Sequence, residues 1–181
     1  TGREFQMLLG RDVLRGLVLD ADYPRDRVRF LLPGAFQPPR DAREVPLKLV
    51  GGAPMTTVRV ESAPPVEVLV DTGATGLLAL SAQTAREAGL LAPGRQVVEA
   101  HSVSLGGVSI DQMVRARTVE AAGLVLRNVD VQIYSPSAGG PIPRGLLGSG
   151  LFRRYRIALD LQGGRLFLIP ATALLVREPR P

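Results

Sequence analysis

Val66-Glu67-Val68-Leu69-Val70-Asp71-Thr72-Gly73-Ala74 is the stretch on which the reading turns. Val66, Val68 and Val70 alternate with Glu67 and Leu69, which predicts a strand with one strongly apolar face. The strand runs into a carboxylate, Asp71, where the chain must turn sharply. Gly73 lacks a Cβ, so the backbone can turn there and approach other groups closely. Thr72 offers a short hydroxyl to tie the loop to a neighbour, and Ala74 leaves room beside the carboxylate. Much later, Leu146-Leu147-Gly148 precedes a short helical stretch. Two apolar residues followed by Gly suit a strand packed closely behind another backbone loop.

Around these segments the pattern is mostly β. Val45–Val50 and Thr56–Val60 read as short strands separated by Gly51-Gly52-Ala53-Pro54. Ser81 is placed to N-cap a short helix through Ala88, with Gly89 to end it. Alternating segments follow over Val97–Leu105, Val108–Val119 and Val129–Tyr134, and Leu105-Gly106-Gly107-Val108 reads as a hairpin tip. Ser135–Arg144, rich in Pro, Gly and Ser, reads as a loop. Many short strands with little helix predict an all-β closed or sandwich-like unit.

Composition narrows the chemistry. The 181 residues contain no Cys and a single His, His101, which excludes thiol catalysis, disulfides and a His-pair metal site. No apolar run approaches the length of a membrane span. The net charge of +5 comes from dispersed Arg, Lys48 being the lone lysine, and this reads as solvated surface charge and not as a nucleic-acid site. Absence of Cys fits a reducing or an oxidising compartment. The chain opens at Thr1 without an initiator Met, and the expectation is that the true N-terminus and its targeting signal lie upstream.

The chain also repeats itself. Leu8-Leu9-Gly10 aligns with Leu146-Leu147-Gly148 at an offset of 138 residues, and without a gap Arg15 then falls on Arg153, Asp22 on Asp160 and Arg27 on Arg165. Both copies run Leu-Leu-Gly, short helix, apolar strand, turn, second strand. Residues 1–35 are therefore expected to be the C-terminal part of an upstream unit. Residues 36–43 have the Pro and charge content of a linker, 44–170 form one complete unit, and 171–181 form a tail.

An apolar strand entering Asp71-Thr72-Gly73-Ala74, followed by Leu146-Leu147-Gly148 before a helix, resembles the retropepsin and pepsin superfamily of aspartic proteases. The closing pattern Tyr155-Arg156-Ile157-Ala158-Leu159-Asp160-Leu161 with Arg165-Leu166-Phe167-Leu168 looks like that of bacterial retropepsin-like proteins, which suggests a periplasmic or secreted setting. The resemblance implies a closed all-β acid-protease barrel with short helices. It implies peptide or protein substrates, no cofactor and no metal. Asp71 would be one of two catalytic aspartates, with Thr72, Gly73 and Ala74 supporting its loop. Gly106 and Gly107 would tip a flap over the substrate, and Leu146, Leu147 and Gly148 would pack behind the catalytic strand. The family often has Ser or Thr where this chain has Ala74.

Such a mechanism needs two aspartates, and only Asp71 is followed by Thr-Gly. Asp22 and Asp160 read as structural partners of Arg27 and Arg165. The second carboxylate is expected from an upstream lobe, which the repeat favours, or from a second copy of the chain. The competing reading is a non-catalytic module that keeps the fold for peptide binding or dimerisation.

Overall fold

A computed structural model describes residues 9–104, 107–134 and 143–171. The described residues open with a one-turn helix, α1 (Arg11–Leu14), and a hairpin of β1 (Val18–Asp22) and β2 (Arg27–Leu31). Then come β3 (Arg43–Pro46), β4 (Lys48–Val50), β5 (Ala53–Val60), β6 (Val66–Asp71), β7 (Leu78–Ser81) and α2 (Ala82–Glu87). Three long strands follow, β8 (Val97–Ser104), β9 (Gly107–Ala121) and β10 (Leu124–Tyr134). The last elements are β11 (Gly145–Gly148), α3 (Ser149–Phe152), β12 (Tyr155–Asp160) and β13 (Arg165–Pro170).

Eight strands form one sheet in the order β4-β5-β6-β11-β7-β10-β9-β8, and an extra pairing of β5 with β9 closes six of them into a ring. The expected all-β closed barrel with short helices is what the chain forms. Alternation dictates the packing: Val66, Val68 and Val70 of β6 turn inward, while Glu67 is exposed. They meet Val58, Leu78, Leu80, Val131 and Leu147 in the barrel core. Burying each such aliphatic side chain contributes about 1.5–3 kcal/mol.

Turn chemistry agrees with the sequence at two places. Gly51 and Gly52, at φ +55° and +79°, join β4 to β5 with Val50 opposite Ala53. Two central residues at positive φ match the twist of a two-residue hairpin, and glycine adopts that geometry without strain. Ser81 caps α2 by accepting from the Thr84 backbone N–H at 3.2 Å, and Gly89 leaves the helix at φ +70°.

The expected single strand over Val45–Val50 is divided. β3 joins one sheet and β4 the other, with the break at Leu47, which is buried and donates its N–H to Gly164 O at 2.8 Å. Pro46 has no N–H to continue a ladder, so the chain can change sheets there. The strand called from Thr56 begins earlier, at Ala53, and β10 begins earlier than Val129, at Leu124.

The second sheet has the order β2-β1-β12-β13-β3, all antiparallel. Its elements follow the 138-residue offset: α1 aligns with α3, β1 with β12 and β2 with β13. Hairpin register agrees as well, since Asp22 faces Arg27 as Asp160 faces Arg165. Residues 36–43 lie along this sheet, where Phe36 stacks on Phe167 with ring centroids 5.4 Å apart and Ala42 packs on the Val18, Ala158, Phe167 and Ile169 cluster.

Ion pairing departs from expectation at one site. Arg165 does pair with Asp160, at 2.9 Å, but Asp22 pairs with Arg25 at 3.0 Å and not with Arg27. Tyr23–Arg25 forms a single 3-10 turn, which carries the Arg25 guanidinium back over the carboxylate three residues before it.

Candidate active site

Asp71 is the last residue of β6, and its position follows from the strand's alternation. The apolar face is in the core, so the strand's end emerges at the barrel rim with its carboxylate half-buried. Asp71 Oδ1 accepts the Gly73 N–H at 2.9 Å, and the Ala74 N–H reaches Asp71 O at 3.3 Å. The loop thus turns back on its own carboxylate within two residues. Gly73 is exposed, while Thr72 and Ala74 are half-buried.

Behind this loop lies β11. It runs parallel to β6, placing Leu146 beside Leu69, Leu147 beside Val70 and Gly148 beside Asp71, and antiparallel to β7 on its other side. Leu147 is fully buried. The chain after β11 then grips the loop through its backbone. Gly148 N donates to Leu77 O at 2.9 Å, Ser149 N and Oγ both donate to Ala74 O at 2.8 Å, and Gly150 N donates to Gly76 O at 3.0 Å. No side chain fits at Gly148: a Cβ there would meet Gly76 O at 2.3 Å and Ala74 O at 2.7 Å. Gly150 is equally confined, against the Leu77 N and Gly76 carbonyl atoms.

Leu146, Leu147 and Gly148 therefore lie against the Asp71 strand and loop, together with Thr72, Gly73 and Ala74. Sequence reasoning missed Ser149 and Gly150, which hold the loop directly, and Gly145, whose missing Cβ would strike Ala79 O at 2.8 Å. The spacing Gly145-x-x-Gly148-x-Gly150 is the signal that was there to find.

β8 and β9 form a long antiparallel hairpin with Ser104 opposite Gly107. Gly107 has φ +107°, a region that L side chains rarely adopt. Gly106 lies outside the described residues. Along this hairpin Val98, Val108 and Ile110 are exposed, and His101 is exposed opposite Ile110. Gln132 of β10 ties the hairpin to the barrel, its Nε2 donating to Ser102 Oγ at 2.8 Å and to buried Asp111 Oδ2 at 2.6 Å.

Ion pairing separates Asp71 from several other aspartates. Asp20 is almost wholly buried and receives Arg156 at 2.7 and 2.9 Å and Arg29 at 2.6 Å. Burial alone would raise the Asp20 pKa, but the hydrogen bonds and charges of Arg156 and Arg29 outweigh it and hold the carboxyl below its ordinary range. Asp130 is likewise lowered by its bidentate Arg115 partner, and Asp22 and Asp160 are in the pairs described above. Asp71 alone combines a half-buried carboxylate, a glycine turn and no ion pair among the described residues.

The model of the aspartyl protease family matches residues 56–151, which is 96 of the 181 residues. This chain belongs to the aspartyl protease family. The matched span begins in β5 and ends in α3, so it takes in the Asp71 loop, the β8–β9 hairpin and the β11 clamp of this protease-family unit. No curated protein matches the chain. Among the described residues no group of three or more His, Asp or Glu is arranged to hold a metal ion, and no helix is long and apolar enough to cross a membrane.

Proposed function

We propose that the chain is one catalytic half of an aspartic endopeptidase, with Asp71 supplying one of two carboxylates that activate a water against a peptide bond. The observation carrying this reading is the clamp on the Asp71 loop. Backbone donors from Gly148, Ser149 and Gly150 fix the loop that follows Asp71, whose carboxylate accepts the Gly73 N–H and makes no ion pair among the described residues. Pre-positioning of this kind is what general acid–base work requires.

The chemistry follows from pairing two carboxyl groups at close range. Both cannot be ionised cheaply, so they share one proton and titrate as a unit. The ionised member takes a proton from water as the water oxygen bonds to the peptide carbonyl carbon, and the protonated member donates to the carbonyl oxygen. Collapse of the resulting diol breaks the C–N bond, and the amine leaves with a proton returned from the dyad. Asp71 is one member, and the other comes from a second lobe or a second copy. Thr72 and Ala74 support the loop, Gly73 lines the cleft, and the β8–β9 hairpin, which carries Gly107, closes over substrate and excludes water. The exposed Val108 and Ile110 on that hairpin suit extended peptides with apolar side chains.

The test is Asp71→Asn in the assembled protein. The substitution is isosteric and should leave the melting temperature within a degree or two, while peptide cleavage falls by at least about a thousandfold. Undiminished cleavage would refute the mechanism. A parent protein that binds peptides and cleaves none between pH 3 and 8 would instead be the non-catalytic module.

A further inference from the structure

Two carboxylates are buried among the described residues, Asp20 and Asp111. Asp20 holds two arginines, Arg156 and Arg29. Asp111, 6% exposed, has no cation among the described residues, and the donor its carboxylate does have is Gln132 Nε2, on Oδ2. An ionised carboxyl offers about four acceptor sites, so most of the capacity of this one is unused. Gln132 has no more to give, because its two amide N–H bonds go to Asp111 and Ser102. Arg115, further along β9 on the same face, is committed to Asp130 at 2.7 and 2.9 Å. A buried carboxylate without a cation is costly, and stability alone gives no reason to keep it.

Strand register puts this carboxylate on the face that carries Asp71. Alternation along β6 turns Leu69 and Asp71 away from the barrel core. From Leu69 a row of paired positions crosses the sheet through Leu146, Ala79, Gln132 and Met113. All five are half-buried, whereas Val70, Leu147, Leu78, Val131 and Val114, which follow or precede them in the chain, are buried in the core. The row is thus an uncovered, largely apolar wall that starts beside Asp71 and ends at Gln132 and Asp111. By this route β6 and β9 are four strand spacings apart, about 19 Å along the sheet, which an extended peptide covers in about six residues.

We propose that Asp111, oriented by Gln132, is a specificity-determining subsite that takes a lysine or arginine side chain of the peptide substrate, several residues from the scissile bond. The ammonium or guanidinium donates to Asp111 Oδ1, the oxygen to which no described group donates. An acidic side chain is repelled there, and an apolar one leaves the carboxylate unpaired, so both are rejected. That the bound peptide is then cleaved rests on the aspartic reading above, whereas the cation site rests on Asp111 and Gln132.

The experiment separates binding from cleavage. The assembled protein carrying Asp71→Asn is immobilised and offered a randomised dodecapeptide library containing Lys, Arg, norleucine and Glu, and the retained peptides are sequenced by mass spectrometry. The parent protein digests the same library. The expected result is Lys or Arg enriched at least about tenfold over norleucine and Glu at one position, at a constant distance from the cleaved bond in the digest. Adding Asp111→Asn should abolish the enrichment at an unchanged melting temperature, since Asn keeps the shape and an oxygen for the Gln132 amide. Absence of basic enrichment in both measurements would overturn the proposal without recourse to any change at Asp111, and so would enrichment that survives Asp111→Asn. Enriched binding by a parent protein that cleaves nothing would leave the subsite standing and refute the protease reading. Cleavage without basic preference would do the reverse.

Discussion

Replacing Gly148 by Ala tests the clamp, because the clash it creates is with backbone and cannot be relieved by a rotamer change. A Cβ at this position would lie 2.3 Å from Gly76 O and 2.7 Å from Ala74 O, so both carbonyls must retreat by roughly an ångström. Overpacking of this kind costs about 1–3 kcal/mol. The same retreat pulls on the bonds from Gly148 N to Leu77 O and from Ser149 to Ala74 O, each worth about 0.5–1.5 kcal/mol. The expected loss is about 2–4 kcal/mol, or about 4–16 °C in melting temperature for a chain of this length. Gly148 itself has an extended backbone at φ −102°, so conformational strain adds nothing. Gly16→Ala is the control, since nothing lies within 4 Å of that Cβ position and it should be neutral or slightly stabilising. Urea denaturation of both variants measures the difference. A Gly148→Ala midpoint equal to that of Gly16→Ala would show that β11 does not press on the Asp71 loop as described.

Acid should weaken the fold. Asp20 and Glu61 both have pKa values lowered in the folded state: burial pushes each upward, but Arg156 and Arg29 outweigh it at Asp20, and the Arg117 N–H and Arg95 outweigh it at Glu61. Groups with depressed values contribute stability that is present above their ordinary values of 3.8 and 4.5 and is lost as pH falls through the folded ones. The urea midpoint should therefore decline below about pH 4.5, and Asp20→Asn should lower stability at pH 7 while flattening that decline. An Asp20→Asn profile parallel to the parent's would contradict the linkage. Phe152→Ala should cost about 3–5 kcal/mol, since Phe152 is fully buried beneath Tyr23. A variant of parental stability with impaired peptide binding would instead make Phe152 a recognition residue.

Much of this was legible because it is local or periodic. The alternation of Val66, Val68 and Val70 contains the strand and its inward face, and Ser81 with Gly89 contains both ends of α2. Asp71 could be singled out from the tripeptide that follows it, and Leu146-Leu147-Gly148 from two apolar residues meeting a residue without a side chain. The division at Leu47 was not legible, since either sheet accepts an apolar alternating segment and only the burial of Leu47 against Gly164 decides between them. Ser149 was missed for a similar reason: its hydroxyl acts on Ala74, far away in sequence, and a serine opening a short helix reads locally as a cap.

The sequence by itself determined that the chain is a β barrel of the aspartyl protease type with Asp71 at the end of an apolar strand. It also contained the 138-residue repeat. These depend on residue type, alternation and spacing, which are properties of the chain. What only the tertiary structure decided was how the two copies of the repeat meet: β1 against β12 about a symmetric centre, Asp20 bridged to Arg156, and β2 at the edge of the sheet among the described residues. Strand pairing across such a distance is fixed by hydrogen-bond register and by which apolar faces find cover, and no window of sequence carries that information.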